Sequence, residues 1–427
     1  MAREKLVLAY SGGTGLDTNV ILHWLTKEKG YEVHTFTANL GQEGFNQELV
    51  VERALKGGAT KAHVEDLREE FVTDYVFPAI RGNLKYEGRY LLGTSLARPL
   101  TAKKQVEVAK RIGANILSHG ATGKGNDQVR FELVYLTLMP EVQIMAPWKD
   151  SEFLARFKGR DDLIAYAKAE GIPINQSSEK PWSSDDNIMH VSYEAGMLED
   201  PQAVPYEEMF RMTVSPKQAP DIGTLCEIEF TNGNPVRLTS IRKVGEDSRH
   251  KGRLVFEQTG LDHTNPVEIL HLLNAEAGKH GIGREDIVED RFVGIKSRGV
   301  YETPGATVLH YAHKALEGLT LDKEIMHINM HTGIDLARAI YEGRWFSPER
   351  EAMQAQIDAT QKVVNGVIRL EFYKGNIIPL GVSSPDSLYD EGLGSMHKLG
   401  GFDQTKSRGF IDTIAIRLQA TARRGKN

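Results

Sequence analysis

The sequence predicts a doubly wound parallel α/β domain followed by an α+β domain and a closing amphipathic helix. Three observations carry this. From Leu6 to Ala146 short apolar runs alternate with stretches of helical period, the pattern of a parallel sheet wrapped by helices. Beyond Asp161 the alternation gives way to two hairpin signals, T-N-G-N-P after Phe230 and Y-K-G-N after Phe372, set apart from the helical stretches. Gly409 to Arg424 then carries apolar residues at helical spacing ahead of a basic tail. These breaks place domains at 1–172, 173–384 and 385–427.

The elements follow in order. Leu6 to Tyr10 reads as a buried strand, and Ser11 to Gly15 as a loop that cannot continue it. Leu16, Val20, Ile21, Trp24 and Leu25 open a helix with Asp17 and Thr18 in its first turn. Tyr31 to Ala38 is the second strand, Phe45 to Leu55 a helix, Lys61 to Val64 a strand, and Leu67 to Tyr75 a helix. Arg98 to Arg111 is a helix, Asn115 to Ser118 a strand, Phe131 to Leu138 a helix and Val142 to Ala146 a strand. Ligands of such sheets sit beyond the carboxyl ends of the strands, so the loops after Tyr10, Ala38 and Ser118 should share one site.

In the second half, Asp161 to Glu170 is a helix, and the polar stretch Asn175 to Asn187 reads as a linker or binding loop. Cys226 to Phe230 pairs with Val236 to Leu238, and charged Val244 to Arg253 reads as an exposed loop. Asn265 to Lys279, Gly305 to Leu316 and Leu336 to Tyr341 are helical, and Val363 to Phe372 pairs with Ile377 to Gly381. The final helix either docks on another subunit or packs on its own chain.

Composition narrows the function. Lys and Arg number 52 against 58 Asp and Glu, which gives no reason to expect nucleic acid or an anionic membrane as a partner. The single cysteine, Cys226, excludes an intrachain disulfide and a Cys-cluster zinc site. The first strand is reached by Leu6, which leaves little room for a targeting peptide, and no apolar run approaches the roughly 20 residues that cross a bilayer. A cytoplasmic protein is expected.

Two glycine-rich stretches carry the chemistry. The first, Ala9 to Thr18, joins a strand to a helix N-terminus, where loop N–H groups and the helix dipole make an anion site. It lacks the third glycine of a dinucleotide fingerprint and the lysine of a Walker loop. S-G-G followed by D-T resembles the loop of the N-type ATP pyrophosphatases, S-G-G-x-D-S/T, with Thr14 and Gly15 as two extra residues. By itself it is also compatible with an ordinary glycine turn. The second, H-G-A-T-G-K-G-N-D-Q-V-R-F-E from His119 to Glu132, again follows a strand and precedes a helix. Its glycines allow close backbone approach, and Arg130 offers a fork for a carboxylate.

Five stretches taken together are more specific. They are Gly88 to Pro99 (G-R-Y-L-L-G-T-S-L-A-R-P), His119 to Glu132, Pro181 to Asn187 (P-W-S-S-D-D-N), His190 to Gly196 (H-V-S-Y-E-A-G) and Lys296 to Gly305 (K-S-R-G-V-Y-E-T-P-G). In this order they resemble the argininosuccinate synthase family, from about Leu6 to the region of Ser384 to Tyr389. The departures are the Thr14-Gly15 insertion, Asn19 where the family usually has Ser, extra residues around Arg242 to Thr264, and Asp290 in place of an Asn.

The resemblance implies a ligase of arginine biosynthesis and the urea cycle. It joins citrulline to aspartate through citrullyl-AMP, converts ATP to AMP and pyrophosphate with Mg2+, and forms a homotetramer through its C-terminal segment. It further implies that Ala9, Tyr10, Ser11, Gly12, Gly13, Asp17, Thr18, Ala38 and Gly120 bind ATP. Thr122, Asn126 and Asp127 match the aspartate positions. Tyr90, Ser95, Asn126, Arg130, Ser183, Ser192, Glu289 and Tyr301 match the citrulline positions, with Arg130 on the carboxylate and Glu289 on the ammonium. No general base and no metal ligand is assigned, and His119 and His190 read as structural or as supports behind the residues that touch ligand. Two alternatives stand beside this reading. One is another pyrophosphatase-loop enzyme, such as a tRNA-modifying one, though it would want a basic face or cysteines. The other is a binding protein impaired in ATP use, because the insertion should leave the helix register intact yet displace loop N–H groups from the phosphates.

Overall fold

A computed structural model describes residues 3–12, 15–172, 182–248, 250–396 and 401–424. The first part runs β1 (Lys5–Ala9), α1 (Leu16–Lys27), β2 (Glu32–Asn39), α2 (Gln47–Lys56) and β3 (Lys61–Asp66). Then come α3 (Arg68–Phe71) and α4 (Phe77–Arg81), joined by a π-helical turn at Val72–Val76, α5 (Gly93–Ile112) and β4 (Ile116–Ser118). It closes with α6 (Asp127–Leu138), β5 (Gln143–Met145), α7 (Ser151–Arg156) and α8 (Arg160–Ala169). All five strands are parallel, in the order β3-β2-β1-β4-β5. The chain leaves β1 toward β2 and later returns to β4 on the other side. The crevice between the ends of β1 and β4 is therefore the sheet's switch point.

Alternation along β1 covers both faces of this sheet. Leu6 and Leu8 pack with Val20, Ile21, Trp24 and Leu25 of α1 and with Leu163 and Ala167 of α8. Val7 and Ala9 belong to the larger cluster with Leu96, Leu100 and Val106 of α5. That cluster continues through Ile228, Leu309, Leu336 and Phe372, so one core runs across both parts of the chain. Buried Gln105 of α5 holds the switch point together. Its amide donates to the carbonyls of Val7 (2.8 Å) and Ser118 (2.9 Å), and its Oε1 accepts from Tyr135 Oη at 2.5 Å.

The second part runs β6 (Ser183–Asp186), β7 (Val191–Glu194), β8 (Thr224–Thr231), β9 (Asn234–Glu246), β10 (Leu254–Gln258) and α9 (Pro266–Lys279). It continues with β11 (Arg284–Asp290), β12 (Lys296–Glu302), α10 (Pro304–Thr320), α11 (Lys323–Tyr341) and α12 (Pro348–Thr360). The last elements are β13 (Gly366–Tyr373), β14 (Asn376–Ser383), α13 (Glu391–Gly394) and α14 (Lys406–Arg423). Its strands form two antiparallel sheets, β10-β9-β8-β13-β14 and β11-β12-β7-β6. None of the residues of α14 is buried, and Phe410, Ile411 and Ile416 are each at least 60% exposed. Among the described residues, α14 buries no side chain against the rest of the chain.

Several expectations change. The stretch read as a linker contains β6 at Ser183–Asp186, because a polar strand can sit at a sheet edge against β7; 173–181 lie outside the described residues. Of the charged segment Val244 to Arg253, the first residues extend β9, and β10 pairs back on it from Leu254, so it forms the arm of a hairpin. Helix α5 begins at Gly93 rather than Arg98, since Pro99 stands inside the helix and not at its start. Helix α11 begins thirteen residues before Leu336, at Lys323, capped by the Asp322 carboxylate. The helix from Leu67 carries on through the π turn to Arg81, while β7, β11, β12 and α12 were not anticipated.

Replacing Gln105 by Leu tests the switch-point clamp. It leaves the Tyr135 hydroxyl buried without its acceptor, which should cost about 1–3 kcal/mol and lower the melting temperature. An unchanged melting curve would mean the carbonyls of β1 and β4 do not need this amide.

Candidate active site

The ends of β1, β2 and β4 open into a cleft of about 450 Å³. Ala9, Tyr10, Ser11, Gly12, Thr18, Ala38 and Gly120 line it, so the three loops expected to meet do meet. Parity along β2 explains why Ala38 faces it. The Phe36 carbonyl accepts from Tyr10 N–H on the β1 side, and the Asn39 carbonyl accepts from Leu67 N–H on the β3 side. Ala38 shares the parity of Phe36, but β1 has already ended, so its carbonyl edge points past the strand. There it accepts from Gln42 Nε2 at 3.0 Å, while Gln42 Oε1 accepts from Leu40 N–H at 2.9 Å.

Side chains pin both ends of the glycine loop. The hydroxyls of Ser11 and Thr18 are 2.6 Å apart, Tyr10 Oη donates to Asn19 Oδ1 at 2.5 Å, and Asn19 Nδ2 donates to the Gly15 carbonyl at 2.9 Å. Helix α1 starts at Leu16 with its predicted register. Gly13 and Thr14 lie outside the described residues. Asp17 does not line the cleft; burial pushes its carboxyl above the usual range, opposed by its own backbone N–H and by Arg160.

Beyond the nucleotide-sized cleft the walls turn polar, through Arg98, Asp127, Asp185 and Asp186. Arg98 was not anticipated as a site residue, although it lies inside the Gly88 to Pro99 stretch, which could have pointed to it. Its Nε donates to Asp127 at 2.8 Å and its Nη2 to Asp185 at 2.7 Å, tying α5 to α6 and to β6. Asp127 also accepts from Arg130 Nη1 at 2.8 Å. Burial raises the Asp127 pKa, but the two guanidiniums outweigh it and hold the carboxyl below the usual range. Arg130 is itself buried.

Asn126, Arg130, Glu289 and Tyr301 come together around Tyr341, a second residue that sequence reasoning missed. Glu289 accepts from Tyr341 Oη at 2.8 Å and from Tyr301 Oη at 3.2 Å. Asn126 Oδ1 accepts from Phe292 N–H at 2.8 Å. Burial raises the Glu289 pKa against these donors and Arg130. The ring of Tyr90 lies 4.6 Å from that of Tyr301, and Tyr90 Oη accepts from Thr94 N–H at 3.1 Å. Ser95 is fully buried one turn further on. Ser192 reaches the group through the Asp185 carbonyl, at 3.3 Å. Thr122 and Ser183 stand exposed.

Buried His190 sits at the centre, stacked on Tyr301 and bonded through Nε2 to Thr94 Oγ1 at 3.0 Å. It fits only because position 93 is glycine: a Cβ there would lie 2.3 Å from the ring. Leu92, just before, is held in the left-handed region at φ +67°, a strained conformation for a bulky residue that turns the chain into α5. His119 stacks on Phe131 and pairs with Glu132 at 2.9 Å, a structural setting.

The site thus joins an anion-binding loop to a buried patch of alternating guanidiniums, carboxylates and phenols, suited to zwitterionic ligands. Among the described residues no group of three or more His, Cys, Asp or Glu could hold a metal ion. Two family models cover nearly the whole chain: the Arginosuccinate synthase N-terminal HUP domain over residues 5–173 and the Arginosuccinate synthase C-terminal domain over 182–421. The chain belongs to the argininosuccinate synthase family. Relatives named argininosuccinate synthase are 53% identical in Thermotoga maritima and 49% identical in Syntrophus aciditrophicus, each over 98% of this chain and 97% and 98% of their own. The Danio rerio relative is 47% identical over 98% of this chain and 96% of its own. Family membership disfavours the alternative of a different pyrophosphatase-loop enzyme.

The buried histidines give a pH signature. Burial, followed by the Arg98 charge, drives the His190 pKa from 6.5 to about 3, and burial also lowers those of His310 and His313. Between about pH 6.5 and 3 the unfolded chain then binds more protons than the folded one, so stability falls as pH falls through that window. The melting temperature should begin to drop below about pH 6.5, and a flat profile down to pH 5 would contradict the burial of these rings as neutral bases.

Proposed function

We propose that this chain ligates citrulline to aspartate while cleaving ATP to AMP and pyrophosphate. The observation that carries the reading is the continuity of the switch-point cleft with the Asp127–Arg130–Glu289 cluster. A ureido carbon is a poor electrophile, so its oxygen first attacks the α-phosphorus and pyrophosphate leaves. The aspartate amine then attacks the ureido carbon of citrullyl-AMP, AMP departs, and the amine proton is lost. The chain's part is to position three ligands and to stabilise charge.

In this reading Ala9 to Thr18, with Ala38 and Gly120, hold ATP. Thr122, Asn126 and Asp127 hold aspartate, while Tyr90, Ser95, Asn126, Arg130, Ser183, Ser192, Glu289 and Tyr301 hold citrulline. Pro99 supports a role for Ser95, because it has no N–H to offer the carbonyl four residues back. Mg2+ would arrive on the triphosphate and neutralise the leaving pyrophosphate. This fits a chain whose described residues include no dedicated acidic cage.

The impaired-loop alternative is not favoured. The Ser11–Thr18 and Tyr10–Asn19 bonds tie the two ends of the loop together in this chain, which carries the two extra residues. The boundary near 172 is supported by the two family matches, and the one near 384 by the end of β14 at Ser383. A cytoplasmic location is proposed from the single, buried cysteine. No helix among the described residues is long and apolar enough to cross a membrane.

With ATP, Mg2+, citrulline and aspartate, the purified chain should yield AMP and pyrophosphate in equal amounts. ADP and phosphate would refute the cleavage reading. A homotetramer is proposed as well, supported by Phe410, Ile411, Ile414, Ile416 and Leu418 standing more than half exposed on α14. Truncation before Lys406 should lower the mass measured by light scattering; an unchanged mass would remove α14 from the assembly.

A further inference from the structure

Tyr341 lies at the last position of α11, outside every stretch that marks the site in the sequence, and is 1% exposed. Its Oη accepts from Asn126 Nδ2 at 2.9 Å and donates to Glu289 Oε1 at 2.8 Å. A phenol has one proton to give, so these two bonds settle its direction. Tyr341 also meets Arg130 twice: its carbonyl accepts from Arg130 Nε at 2.9 Å, and the guanidinium lies 4.9 Å from the ring centre. Tyr86 covers the ring, with centroids 3.5 Å apart and planes within 5°. Two residues on, Gly343 has φ +84°, and a Cβ there would lie 2.9 Å from Arg130 Cα. The end of α11 is thus pressed onto the first turn of α6, with no room to shift.

We propose that Tyr341 is a positioning residue for both amino-acid substrates, aiming the Glu289 carboxylate at the citrulline ammonium and fixing the amide of Asn126 between the two subsites. This rests on the ligase reading above. The phenol orients two groups that come from β11 and from the start of α6. With Nδ2 tied to Tyr341 and Oδ1 to Phe292, Asn126 keeps one N–H and one lone pair for ligands. Glu289 keeps its remaining acceptor capacity for an ammonium.

Glu289 is faced by Tyr341 from α11, Tyr301 from β12, Arg130 from α6 and Arg291 after β11, with Tyr86 and Tyr90 nearby. Burial raises its pKa, and the Tyr341 hydrogen bond opposes that rise. Removing the hydroxyl should therefore raise the pKa further, and the carboxylate would form only at higher pH.

The test is Tyr341→Phe in the full chain, which keeps the stacked ring and deletes only the hydroxyl. Citrulline-dependent exchange of labelled pyrophosphate into ATP and the complete reaction are measured across pH. The citrulline and aspartate KM values should each rise roughly tenfold, while the ATP KM stays within about twofold. The acid limb of kcat/KM for citrulline should move to higher pH, a shift that a merely structural role would not produce. A variant with wild-type citrulline KM and an unmoved acid limb overturns the proposal. So does one in which all three KM values rise together with a fall in melting temperature. A wild-type chain that shows no citrulline-dependent exchange overturns the proposal together with the ligase reading beneath it. A wild type that exchanges, beside a variant that matches it, overturns the positioning role alone.

Discussion

The geometry of the site hangs on one half-buried guanidinium, that of Arg98, which bridges two carboxylates. A charge out of water is costly unless paired and fully hydrogen-bonded. Arg98 meets that condition only with two carboxylates, Asp127 and Asp185, which come from different parts of the chain. The first stands at the start of α6 in the parallel-sheet region, the second on β6 at the edge of an antiparallel sheet. The two bonds of Arg98 thus link the second part of the chain to the region beyond the carboxyl ends of β1 and β4. The switch-point cleft and the polar cluster beside it are adjoining spaces.

The same pairing sets the electrostatics around it. Arg98 and Arg130 hold the Asp127 carboxyl below the usual range despite its partial burial. Arg291 closes a parallel pair with Glu194 at 2.6 Å, and its Nη1 reaches the Lys124 carbonyl at 3.2 Å. Guanidiniums and carboxylates thus alternate through the patch, so its field is strong locally and small at a distance. Such a surface is suited to a ligand that carries both charges at fixed separation more than to a simple anion.

Local pattern made part of this legible. The strand–glycine–helix unit from Leu6 is written in apolar period and turn chemistry, and it folds as read, as do the two hairpins. Tyr90, Asn126, Arg130, Glu289 and Tyr301, taken from motif resemblance, converge in space. What stayed hidden depends on tertiary context. Strand β6 is S-S-D-D and has no apolar alternation to betray it. Ahead of Leu336, α11 exposes Ile328, Met330 and Ile334, which blurs its amphipathic stripe. Arg98 and Tyr341 act across 29 and 215 residues of chain, toward Asp127 and Asn126, and no window of sequence holds both partners.

That separation bears on how the protein reaches its working state. The walls of the site are contributed by β1, β2, β4, β6, β11 and the end of α11, so nearly the whole chain must be in place before any ligand contact is complete. Contacts between distant segments form late, because chain must be closed before they return any free energy. β1 illustrates the wait: its partner β4 is synthesised more than a hundred residues later, and until then one edge of β1 is open. A nascent or partly folded chain would expose parallel-sheet edges and apolar faces with no ligand pocket to stabilise them. Bound substrates can then stabilise only the finished molecule, so their concentration in the cell bears on how long a completed chain persists, and hardly at all on whether one is completed.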